Sequence, residues 1–179
     1  GNTFNENINT RNLLPYEGDI ILEGRWGNSI RFGSTVNNSP VPNSWSNYGE
    51  NGKPITIIRN GQYTNDDAPW VPILEDINED SSSIYLTSNQ QIPIKAASTD
   101  YSSYPKTVPI NPNQYIGEQV MLNSGRIFFN AKNDHILLSA TKTINLNAQA
   151  GINLDTPEGL IVNVGTTIRL GDKEAEEPI

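Results

Sequence analysis

From residue 120 onward apolar side chains recur every eight positions, and this register limits what the chain can fold into more tightly than any other feature. Val120, Phe128, Ile136, Ile144, Ile152, Leu160 and Ile168 form one row. Two residues later in each octad, Leu122, Leu138, Leu146, Leu154, Val162 and Leu170 form a second row, interrupted only by Asn130. Four residues after the first row the position is mostly small or β-branched, as in Ser124, Ala140, Ala148, Thr156 and Val164. The remaining three positions carry turn chemistry in several units, for example Gln149-Ala150-Gly151 and Pro157-Glu158-Gly159.

Offsets of 0, 2 and 4 fall on one face of a strand, because successive β side chains alternate sides. A period of eight does not follow the 3.6-residue stripe of a helix. Each octad therefore predicts a short strand of about five residues, roughly 17 Å at ~3.3 Å per residue, and then a three-residue corner. One octad is too short to close a coil by itself. Three chains, each giving one side per layer, close a prism in which every strand has neighbours above and below and edges remain only at the two ends. The two apolar rows then fill a narrow axis, with Val120, Leu122, Phe128, Ile136, Leu138, Ile144, Leu146, Ile152, Leu154, Leu160, Val162, Ile168 and Leu170 as the trimer core. A single-chain antiparallel meander with tight turns also gives an eight-residue period. Seven nearly unbroken octads without one dominant hairpin turn favour uniform winding as an intertwined homotrimer, a triple-stranded β-helix.

Ahead of the octads the composition points the same way. The chain has 24 Asn and 21 Ile against 8 Ala, and Ile, Asn, Gly and Pro are all weak helix formers, so an all-β protein is expected. Residues 1–15 read as an extended arm. Asp19–Gly24 and Asn28–Gly33 read as a hairpin joined through Arg25-Trp26-Gly27, with strands Ile55–Asn60, Ser83–Thr87 and Gln91–Lys95 to follow. The polar stretch between Ser34 and Pro54 reads as a long loop. Five strands separated by long loops suit a small OB-like β-barrel over 16–95. Residues 96–117, with Pro105, Pro109 and Pro112, read as a linker, and 118–179 as the β-helical needle. Its apolar offsets give way to Asp172 and fail at Glu176. Either the needle ends there or the chain is a fragment lacking its tip, which the start at Gly1 also suits.

Several function classes are excluded by what is missing. With no Cys, thiolate zinc sites, iron–sulfur clusters and Cys nucleophiles have no material, and His135 as the only His leaves almost none for a His-based metal site or a Ser-His-Asp triad. A net charge of −8 provides no basic stripe for nucleic acid. No run approaches the ~18 apolar residues that read as a membrane span, and the polar start is not a signal peptide. Asp76-Ile77-Asn78-Glu79-Asp80 opens like a calcium loop, but Ser81 stands at its sixth position and Thr87 at its twelfth, where Gly and Glu belong; an acidic solvated loop is the better reading. Glu17 with Asp19, and Asp66 with Asp67, sit in turn contexts with no opposing partner across a cleft. Trp26, Trp45 and Trp70 with Tyr48 and Tyr63 are expected to cap the core of the barrel rather than line a sugar site. Gly24-Arg25-Trp26-Gly27 lacks the spacing and the following helix of a phosphate cradle. His135 falls at a corner, where three copies do not converge on a metal. The expectation is a non-enzyme with no catalytic, cofactor or metal residues.

Four segments carry a resemblance: YEGDIILEGRWGNSIRFGST (16–35), KPITIIRNGQ (53–62), EDINEDSSSIYLTSNQQIPI (75–94) and the octads 120–172. They resemble the baseplate hub and tail-spike proteins of T4-like contractile-tailed phages, with the VgrG-type spikes of type VI secretion more distant. The resemblance implies an OB-like barrel docked on a baseplate hub protein and a trimeric cell-puncturing needle, located in the virion. The partners it implies are two further copies of the chain, the hub, a tip protein at the C-terminal end and, transiently, the host outer membrane. Two departures stand out. The interval 96–116 is too short for the lysozyme domain of T4-type spikes, and the end of the chain has no His to bind a metal at a tip. A tail adhesin that binds or degrades surface polysaccharide, with the β-helix as a stalk, is the alternative function, and a monomeric β-solenoid a third reading.

Overall fold

The computed structural model describes residues 10–46, 49–63, 70–98, 108–166 and 168. Among these the protein is all-β, with no helix and five strands: β1 (Ile20–Glu23), β2 (Ser29–Ser34), β3 (Pro54–Asn60), β4 (Ser82–Thr87) and β5 (Gln119–Ser124). They form one antiparallel sheet in the order β1-β2-β3-β4-β5. The chain divides into two compact units, residues 1–96 with 110–136 and residues 97–109 with 137–179.

The first four strands lie where the sequence predicts them. The β1–β2 turn is closed by the Gly24 amide donating to the Asn28 carbonyl at 2.8 Å. Gly27 adopts φ +85°, and a Cβ there would sit 3.1 Å from the Gln62 side chain, so the turn needs glycine on both counts. The fifth strand differs. Gln91–Lys95, expected as a strand, forms none, because Pro93 has no N–H to donate and Ile92 is instead folded inward as part of the core. Its place beside β4 is taken by Gln119–Ser124, which carries the first octad positions Val120 and Leu122.

Register sorts the side chains of the sheet. On the inner face Ile21, Arg31, Ile57, Tyr85 and Met121 lie opposite one another across all five strands. Loops cover this face: Trp45 from the long loop, Ile77 and Ile92 pack on Ile55, Ile57, Tyr85 and Met121, with Leu74 and Ile94 at the margin. The end of the N-terminal arm joins them. Leu13 is buried and bridges Ile73, with the Leu14 amide donating to the Ile73 carbonyl at 2.8 Å. Gln90, fully buried, closes the base of the long loop by donating to Thr35 Oγ1 at 3.1 Å and the Lys53 carbonyl at 2.9 Å.

This core is built around two buried cations. Arg31 has no exposed side-chain surface; its Nε donates to Glu75 Oε1 at 2.7 Å, its Nη1 pairs with Asp19, and its Nη2 donates to the Leu14 carbonyl at 3.0 Å. The guanidinium also lies 6.0 Å from the Tyr16 ring centroid and 5.9 Å from that of Trp45. One row away, Arg59 donates to Ser29 Oγ at 3.2 Å and faces Asp80 at 3.5 Å.

Burial pushes the Asp80 carboxyl up to about 6, against the opposing pull of Arg59 and of the Tyr63 and Asp76 amides. Folded Asp80 thus holds a proton that an unfolded Asp releases near 3.8, so its contribution to stability is full below that value and is lost as pH rises through about 6. Denaturant midpoints measured from pH 4 to 7 should fall with rising pH in the native sequence relative to Asp80→Asn, by a difference on the order of 2 kcal/mol. Parallel pH profiles for the two proteins would contradict this.

Candidate functional site

Beyond β5, which holds the first octad positions, the octads form no strand among the described residues. After β5 the backbone bends at 132–134, 141–142, 149–150, 157–158 and 165–166, the last four at intervals of eight, in phase with the apolar rows. Between the bends, none of the backbone-to-backbone hydrogen bonds among the described residues involves residues 126–166. The corners are held locally: Thr156 Oγ1 accepts from the Glu158 and Gly159 amides, both at 3.4 Å, and Asn145 Nδ2 donates to Thr143 Oγ1 at 2.8 Å.

The apolar rows of this segment face outward. Ile136, Leu138, Ile144, Leu146, Ile152, Leu154, Leu160, Val162 and Ile168 are between 43 and 68 % exposed, whereas the core of the sheet is below 10 %. Val120 and Leu122 on β5 and Phe128 just beyond it are exposed too, and Leu170 lies outside the described residues. Among residues 137–166 no side chain is buried, and scattered side-chain hydrogen bonds do little against the ~1–2 kcal/mol per residue that ordering a backbone costs. Peptide groups without backbone partners among the described residues, and uncovered Ile and Leu at a fixed spacing, are the features that set this segment apart from the sheet.

The residues singled out for chemistry are otherwise engaged or isolated. Asp19 is consumed by Arg31, and Glu17 is exposed beside it. In the acidic loop Asp80 accepts from the Asp76 and Tyr63 amides at 3.0 and 3.2 Å, Asp76 Oδ1 accepts from the Asn78 amide at 2.9 Å, and Asn78 bonds the backbone of Pro93 and Lys95. These oxygens are turned into the loop's own turns rather than toward a common cation. Among the described residues no group of three or more His, Asp or Glu is placed to hold a metal. His135 is exposed, 3.5 Å from Asp134. Trp45 is buried in the core while Trp26, Tyr63 and Trp70 are exposed; Asp66, Asp67 and Tyr48 lie outside the described residues.

One surface was not anticipated by the octad pattern. The outer face of the sheet carries Ile20, Phe32, Thr56, Leu86 and Val120 in one cross-strand row. Leu22, Ile30, Ile58, Ile84 and Leu122 form the next. The signal for it was present in Ile20-Ile21-Leu22 and Ile55-Thr56-Ile57-Ile58, which are apolar on both faces of their strands, as in sheets covered on both sides.

Compared with protein-family models, curated sequences and solved structures, the chain has no match.

Proposed function

We propose that this chain is a non-enzymatic structural component of a contractile tail baseplate, forming with two further copies the central spike that pierces the host envelope. The observation that carries the reading is the coincidence of three eight-residue registers among the described residues: apolar rows, backbone bends, and intervening segments whose backbone makes no backbone-to-backbone hydrogen bond. An intertwined triple-stranded β-helix supplies all that is missing. Each segment gains neighbours above and below, and the Ile and Leu rows gain an axis.

On this reading the work is mechanical. Interchain hydrogen bonds along the whole needle let it transmit the thrust of sheath contraction without unfolding, and folding and trimerisation become one event. The N-terminal unit docks on the hub protein. Its five antiparallel strands support a small β domain; closure into an OB-like barrel would further require pairing of the edge strands β1 and β5. A tip protein at the C-terminal end and brief contact with the outer membrane complete the partners, in the virion.

The purified chain should be a trimer by mass, and bacterial surface polysaccharide mixed with it should keep its viscosity. Loss of viscosity, or retention on immobilised glycan, would move the function to the adhesin reading.

A further inference from the structure

Two full cross-strand rows of the sheet's outer face are apolar with Thr56 as their only polar member and no charge, and beyond them Asn60, Ser82 and Ser124 form a polar row. The face is open: Leu22 is 58 % exposed, Phe32 49 % and Leu86 42 %. We propose that this face is covered by neighbouring copies of this chain, so that the outer rows of the sheet are buried between chains together with the first octad positions Val120 and Leu122. The inference rests on the trimeric reading of the octads and extends it to a surface that reading does not require.

Continuity is the first argument. β5 sends Met121 into the unit's own core and leaves Val120 and Leu122, the first two octad core positions, on the outer face. Beside them Ile58, Ile84, Leu122 and the next octad position, Phe128, line one open groove of about 340 Å³ whose rim also carries Arg126 and polar residues of the strand ends. The sheet face and Phe128 thus share one groove within the N-terminal unit.

Charge agrees: chains of net charge −8 repel one another, and a face without charge is where copies approach at least cost.

The absence of native Cys makes the test clean, because one introduced thiol is the only one. Leu86→Cys and, separately, Leu22→Cys would be placed in the full chain, with Asn38→Cys in the exposed long loop as control, and the rate of maleimide labelling measured. Each would be repeated in chains also carrying Ile152→Asp. The expected result is labelling of the Leu86→Cys and Leu22→Cys proteins at least tenfold slower in the trimer than in the Ile152→Asp background, with no change for Asn38→Cys. A protein that is trimeric by mass yet labels equally fast at both positions overturns this inference and leaves the trimeric reading standing. A native chain that is monomeric overturns both.

Discussion

Ile152→Asp is expected to convert the protein from a trimer to a monomer. In the proposed trimer three Ile152 side chains would meet near the axis, each gaining about 1.5–3 kcal/mol from burial. The substitution removes that gain and sets three carboxylates against one another in a dry channel, where leaving even one unpaired charge costs several kcal/mol. Ile144→Asp should act in the same way one layer above. The control is Asn153→Asp, one residue along and on the opposite face of the same segment, where an added charge remains in water and the trimer should survive. An Ile152→Asp protein that stays trimeric and heat-stable would remove Ile152 from the core.

The second large effect belongs to the N-terminal unit. Arg31→Met should destabilise it by about 3–5 kcal/mol, because Asp19 and Glu75 are then left as buried carboxylates without their cation. Against a total domain stability of roughly 5–15 kcal/mol this is a large fraction, equivalent to a fall in melting temperature of about 15–25 °C for a domain of this size. The loss arises from stranded charge rather than lost volume, so adding Asp19→Asn and Glu75→Gln to Arg31→Met should recover part of it. A melting temperature unchanged by Arg31→Met alone would show that the guanidinium is not what holds loop, arm and sheet together.

These two predictions draw on different amounts of sequence information. The eight-residue period was legible because a strict repeat needs no tertiary context, and the bends at 141–142, 149–150, 157–158 and 165–166 recur with it, but the strands expected between them do not form among the described residues. The hairpin and the strands around Ile57 and Tyr85 were legible from β-branched runs bounded by turn residues. Gln91–Lys95 was not, because its Ile-Pro-Ile pattern fits equally a strand and an irregular segment that folds Ile92 inward. The role of Gln119–Ser124 as the fifth strand was hidden for a related reason: alternation places Val120 and Leu122 on one face but does not say which chain covers them. Arg31 and Arg59 were invisible as core residues, since a charged side chain in a strand ordinarily faces water. Their carboxylate partners arrive from loops 12 to 44 residues away, a distance no local pattern spans.

The most direct test of the central claim is the molar mass of the purified chain in solution by multi-angle light scattering. An intertwined spike predicts a single species at three times 19.7 kDa, unchanged on dilution because separating the chains requires unfolding the needle. A stable, folded species at 19.7 kDa would contradict it, since the Ile and Leu rows would then stand in water with nothing to cover them.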